Sequence, residues 1–175
     1  MSGTKMPARL IVMGVAGCGK STIGAALAEA VGARFLDGDD FHPPANVAKM
    51  SAGQALTDDD RWPWLDRLGI EMEAAVAETG TAVLACSALK RVYRERLTAA
   101  CAEPPMFVHL DGDRELIEAR MAARQDHFMP VGLLDSQFAT LERIADDENA
   151  IVISIDAPAP TVIERIRKTM ATRAD

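Results

Sequence analysis

The stretch Gly14-Val15-Ala16-Gly17-Cys18-Gly19-Lys20-Ser21, followed by Thr22, fits the spacing G-x-x-x-x-G-K-[ST]. These residue types suit the binding of a polyphosphate. Glycines at 14, 17 and 19 let the main chain take conformations closed to other residues and come close to a ligand. Successive N–H groups then face an anion at a helix N-terminus, where the helix dipole also favours negative charge. Lys20 is placed to reach the β- and γ-phosphates, and the Ser21 hydroxyl to ligate Mg²⁺. Cys18 reads in two ways: a thiol of lowered pKa near a helix start, or a position where the side chain matters little because the loop binds with its backbone.

Asp37 and Asp39 follow a short apolar run at alternate positions, so in an extended segment they point the same way. Beside a magnesium nucleotide, one could hold metal-bound water while the other accepts a hydroxyl proton. The competing reading is an acidic, solvated turn. His42, just before Pro43, is either a substrate contact or a structural loop residue. Asp58-Asp59-Asp60 reads as a solvated acidic helix start rather than a metal site. Arg61 differs, since a guanidinium across from the phosphate loop suits bidentate recognition of a carboxylate, with Lys90 and Arg94 as further candidate neighbours.

The acidic residue that commonly ends a later strand in phosphate-loop proteins is absent, Cys86-Ser87 standing in its place. A metal would then rest on Ser21, nucleotide oxygens and water held by Asp37. Arg120, Arg124 and His127 lie on or just past one helix that ends in a Gly/Pro-containing segment. They form either a lid over about 120–135 carrying phosphate-neutralising arginines, or an ordinary basic helix face.

The elements that must position these groups show in the periodicity. Leu10–Met13 is an unbroken apolar run, as suits a strand buried on both faces. Ile23, Ala26, Leu27, Ala30 and Val31 recur at helical spacing, with Gly32 as a stop. Further strands are expected at Arg34–Leu36, Thr81–Cys86, Met106–Leu110 and Ile151–Ile155. Helices are expected over 45–52, through Leu65, Leu68, Met72 and Val76, over Ala88–Cys101, after Asp113, over Asp135–Arg143, and from Pro160 onward. Five strands alternating with helices predict an α/β fold with a parallel sheet covered on both faces, and a ligand at the C-terminal edge of its strands. No repeat or linker interrupts the chain, so one domain over 1–175 is expected.

Apolar residues make up 49% of the 175 and charged residues 26%, an ordinary globular balance. A net charge of −7 disfavours nucleic acid and anionic membranes as partners but leaves room for a small anion, which responds to local charge. No apolar run approaches the length of a membrane span, and the first nine residues lack the apolar core of a leader. Three scattered cysteines suit a reducing compartment, with the cytoplasm as the expected address.

Taken together, these blocks resemble the gluconate kinases, P-loop enzymes related to shikimate and nucleoside monophosphate kinases. The resemblance spans nearly the whole chain. It rests on Gly14–Thr22, Phe35–Asp39 with His42-Pro43, Leu56–Arg61 with Pro63-Trp64-Leu65, and Cys86–Lys90 with Tyr93-Arg94. It continues through His127–Pro130, Leu133-Leu134, Ser136-Gln137-Phe138 and Thr140-Leu141-Glu142. Arg143-Ile144 departs from it, since a proline is expected soon after Thr-Leu-Glu; the departure bears on geometry near the lid. The resemblance implies ATP- and Mg²⁺-dependent phosphorylation of D-gluconate to 6-phospho-D-gluconate by a cytoplasmic homodimer. It also implies sheet order 2-3-1-4-5, an acceptor-binding region over about 37–64, Asp39 at the accepting hydroxyl and Asp37 near the metal's water. A shikimate-type or nucleotide kinase, or an ATP-binding regulatory module with little turnover, are the competing functions.

Overall fold

The computed structural model describes residues 6–124 and 131–173. Five strands, β1 (Arg9–Met13), β2 (Arg34–Asp37), β3 (Ala82–Ala85), β4 (Met106–Asp111) and β5 (Ala150–Ser154), form one sheet in the order β2-β3-β1-β4-β5. Every pairing is parallel. The expected order 2-3-1-4-5 therefore holds.

Successive residues of β1 feed opposite faces. Leu10 and Val12 join a cluster with Leu27, Ile117 and Ile166, from α1 (Lys20–Val31), α5 (Arg114–Ala122) and α7 (Ala159–Arg173). Ile11 and Met13 join one with Leu65, Leu68, Met72 and Leu97, from α3 (Asp58–Thr79) and α4 (Arg91–Ala100). Both faces are covered, which is why the strand reads as a continuous apolar run. The chain leaves β1 for α1 on one face of the sheet and leaves β3 for α4 on the other, so the loops after these adjacent strands part to opposite faces. That divergence opens a crevice at the strands' C-terminal ends. The phosphate loop follows β1 there, and residues 86–90 follow β3; Gly14 N–H donates across to Ser87 O at 3.3 Å.

Several boundaries differ from the periodicity. In α1 the buried residues are Ile23, Gly24, Leu27 and Ala28, while Ala30 faces solvent. Small residues carry too little hydrophobic contrast to set the phase. Helix α3 begins at Asp58, the acidic start read from the sequence, and carries Pro63 within it. Its N-terminus is fixed by a capping box: Thr57 Oγ1 accepts from Asp60 N–H at 3.1 Å and Asp60 Oδ2 accepts from Thr57 N–H at 2.9 Å. Helix α4 starts at Arg91, not Ala88, because Ala88 is left-handed at φ 46°. Helix α6 covers Val131–Thr140 rather than Asp135–Arg143. Helix α2 (Pro44–Ser51) matches closely.

Candidate active site

The phosphate loop is built as its spacing requires. Gly19 caps α1 in the left-handed region at φ 94° and offers no capping side chain, so the first-turn N–H groups remain available to an anion. Lys20 Nζ donates to Val15 O at 3.2 Å, which folds the ammonium across the loop. Cys18 answers to neither sequence reading. Its side chain is buried in the core, and burial pushes its thiol pKa up. A Cβ on Gly14 would lie 2.7 Å from Cys18 Sγ and 3.0 Å from Leu110 O, so the loop and this thiol are packed as one piece.

Ser21 Oγ donates to Asp37 Oδ2 at 3.0 Å, and Asp37 Oδ1 accepts from Asp39 N–H at 3.1 Å. The two aspartates do not share an extended segment. Asp37 caps a short 3₁₀ turn, Gly38–Phe41, which carries Asp39 away from the strand. The chain turns there because the Asp37 carboxylate can take the Asp39 N–H, a local bond that competes with strand pairing. A hydroxyl and a carboxylate thus meet beside the loop, a hard oxygen pair suited to Mg²⁺. Among the described residues no group of three or more His, Cys, Asp or Glu could hold a metal without further ligands. Any Mg²⁺ here must bring phosphate oxygens and water with it.

On the acceptor side, His42 stacks on Trp64 with ring centroids 4.1 Å apart, and Trp64 Nε1 donates to Gly38 O at 2.8 Å. His42 Nε2 lies 3.9 Å from Asp39 Oδ1, and burial pushes the imidazole pKa down, favouring its neutral form. Arg61 sits one turn into α3 with its guanidinium 5.3 Å from the centre of the Tyr93 ring. Lys90 Nζ reaches Asp58 at 3.0 Å, and Tyr93 Oη donates to the same carboxylate. These bonds hold the Asp58 carboxyl below its usual range and raise the Lys90 ammonium. Two buried polar atoms here, His42 Nδ1 and Arg61 Nε, have no hydrogen-bond partner among the described residues. At the back of the site burial pushes the Cys86 thiol up to about 12, with Lys20, Asp39 and Arg61 all within electrostatic reach.

A cavity of about 260 Å³ opens on the other side of the loop, lined by Gly17, Gly19, Thr22, Arg120, Arg124 and Pro158 among others. Arg120 Nη2 donates to Ala157 O at 3.2 Å and also to Ile155 O, so its guanidinium is tethered to the β5–α7 connection.

The structure therefore brings together Lys20, Ser21, Asp37 and Asp39, sets His42, Arg61 and Lys90 beside them, and places Arg120 and Arg124 on the far side of the loop. Arg94 is a correction. It is 1% exposed, its Nε and Nη2 grip Glu148 at 2.6 and 3.1 Å, and its Nη1 donates to Ala88 O and Leu89 O. It braces the residues leading to Lys90 and has no face left for a substrate. His127 and residues 125–130 of the expected lid lie outside the described residues. In the sequence, Asp58 falls in an acidic helix start and Tyr93 within the helix expected over Ala88–Cys101. Their polar role was signalled only by a tyrosine hydroxyl needing a partner on a buried face. The Arg143-Ile144 departure falls in the connection after α6, which is pinned by Glu142 N–H to Leu89 O at 2.8 Å and Arg91 N–H to Glu142 Oε2 at 2.8 Å.

With this geometry in view, likeness to known proteins can be placed. The shikimate kinase family model matches residues 16–144. A gluconokinase of Gluconobacter oxydans is 47% identical over 160 residues, covering 91% of this chain and 89% of that protein. The chain belongs to the gluconokinase family. A thermosensitive gluconokinase of Escherichia coli is 45% identical, over 91% of this chain and 86% of its own length. The crystal structure of a gluconokinase from Sinorhizobium meliloti superposes with a TM-score of 0.86 at 40% identity, covering 97% of this chain and 95% of that one. Members of the gluconokinase family are small-molecule kinases, and the loop around Lys20 is their nucleotide-binding element.

Proposed function

We propose that this chain transfers the γ-phosphoryl group of ATP to a hydroxyl of D-gluconate, giving 6-phospho-D-gluconate and ADP. The observation that carries the reading is the buried Nε of Arg61, without a hydrogen-bond partner among the described residues, beside the phosphate loop and Asp39. A buried donor left without an acceptor is costly, and a substrate carboxylate supplies the acceptor with opposite charge.

The roles follow from placement. Loop N–H groups and Lys20 hold the β- and γ-phosphates and neutralise the charge on the group in transfer. Asp39, 89% exposed and facing solvent at the crevice, accepts the hydroxyl proton as the new O–P bond forms and the bond to ADP breaks. Ser21 and Asp37 are the residues that would hold Mg²⁺ and its water, and the ion would supply positive charge to offset that of the phosphates. His42, stacked and neutral, offers the acceptor's hydroxyls a hydrogen-bonding edge, and Lys90 a second cation. The cavity beside Gly17 and Arg120 suits the nucleoside, whose base can lie on the flat guanidinium.

The reading includes one kinase domain over 1–175, a homodimer and a cytoplasmic setting. No helix among the described residues is long and apolar enough to cross a membrane. A coupled assay of ADP release tests it. Turnover should rise well above background with gluconate and Mg²⁺, and stay at background with shikimate or a nucleoside monophosphate. ATP consumption indifferent to gluconate would refute it.

A further inference from the structure

The roles above leave Gln137 unused. It lies on α6, half-buried, and its Oε1 accepts the Ala16 N–H of the phosphate loop at 3.0 Å, across 121 residues of sequence. The donor being a backbone N–H, the acceptor must be the amide oxygen, which settles the side chain's orientation. The other end of that same peptide unit is the Val15 carbonyl, and it accepts from Lys20 Nζ at 3.2 Å. In a trans peptide the C=O and N–H point in opposite directions. Gln137 therefore grips the peptide from outside the loop while Lys20 grips it from inside.

We infer that Gln137 is a positioning residue for Lys20: by holding the Ala16 N–H outward, it keeps the Val15 carbonyl turned in to seat the ammonium over the phosphates. Without that acceptor, the Val15–Ala16 peptide is free to rotate, and Lys20 loses the carbonyl that sets its reach. One turn beyond Gln137 the chain is bonded at Glu142 to Leu89 and Arg91. Helix α6 and the connection that follows it thus tie the phosphate loop to the segment carrying Lys90. The inference rests on the phosphate-loop reading but not on the identity of the acceptor.

The test is a double-mutant cycle on binding of a non-hydrolysable ATP analogue, read by calorimetry. Gln137→Met keeps the side chain's length and removes the acceptor. It should weaken the analogue about fivefold in the parent protein, the scale of one neutral hydrogen bond. In a Lys20→Ala background it should cost less than about twofold, because residues acting through one another are not additive. Equal losses in both backgrounds, or no loss in the parent, would overturn the inference. A second readout needs no ligand. The Ala16 amide proton resonance should move upfield in Gln137→Met and stay near its parental position in Gln137→Glu, which keeps an acceptor oxygen. An Ala16 resonance unchanged in Gln137→Met would also overturn it. If the analogue binds and the cycle is non-additive while gluconate is not phosphorylated, the proposed substrate fails and the role of Gln137 stands.

Discussion

Arg61 holds a buried Nε with no partner among the described residues, an arrangement that is costly until an anion arrives. Arg61→Ala should therefore lower kcat/KM for gluconate by roughly 10²-fold, while the uncharged polyol glucitol, a poor acceptor from the start, should change little. A loss shared equally by both acceptors would mean that Arg61 serves the fold or the phosphates. Arg94 should fail in the opposite way. Removing one partner of a buried ion pair leaves the other charge uncompensated, so Arg94→Met should cost about 3–5 kcal/mol in urea unfolding, with the gluconate KM of the folded protein little changed. Asp39→Asn keeps the shape and removes the base, so an ATP analogue should still bind while turnover falls roughly 10²–10⁴-fold. These roles were unevenly legible. Lys20 and Ser21 stand in a motif whose chemistry fixes them. Arg61 and Arg94 look alike in sequence, because what separates them is Glu148, a partner 54 residues away that no local pattern announces.

At the scale of elements, the start of α3 matters most, since its first turn carries Asp58 and Arg61 together. Thr57 and Asp60 close that end reciprocally, Lys49 Nζ adds a bond to Asp60 at 2.7 Å, and Asn46 Nδ2 bonds Asp60 O at 2.9 Å. Helix α2 is thereby fastened to the turn that aims Arg61. Thr57→Ala should cost about 1 kcal/mol, the usual loss of a capping hydroxyl. In a chain of this length that corresponds to a Tm lower by roughly 2–4 °C, checked by calorimetry. Lys49 and the Thr57 N–H together hold the Asp60 carboxyl at about 2. Its folded-state pKa lies below the unfolded one, so its contribution is complete above roughly pH 4–5 and fades as pH falls toward 2. An NMR titration should find this carboxyl still ionised at pH 3. The start of this helix was legible in its acidic run Asp58–Asp60, whereas the reciprocal cap by Thr57 was not read from it. The start of α4 was not legible: Ala88, Leu89 and Lys90 are good helix formers, and they are held out of it by the grip of Arg94 on the Ala88 and Leu89 carbonyls together with the Glu142 N–H on the latter.

For the whole molecule, alternating strands and helices made the parallel sheet legible, while its order came from resemblance, since apolar runs carry no record of which strand lies beside which. That order has a thermodynamic consequence. The nucleotide side of the crevice is built on α1 and α5, which pack on one face of the sheet, and the acceptor side on α3 and α4, which pack on the other. The seam between them is bonded by the chain's own groups, through Gly14 to Ser87 and Ser21 to Asp37. Neither ligand should have to build the other's site. A ligand at a hundred times its Kd stabilises the folded state by about 2.7 kcal/mol, which here means a Tm higher by roughly 5–10 °C. ADP alone and gluconate alone should each raise Tm, and the two together should raise it by nearly the sum of the separate shifts. The net charge of −7 should not prevent the gluconate shift at physiological salt, because charges more than about 8 Å away are screened and Arg61 is local. Thermal scans with each ligand and with both decide the matter. A gluconate shift that appears only once ADP is bound would show that the acceptor side is assembled by the nucleotide, and that the bonds seen across the seam do not suffice to hold it ready.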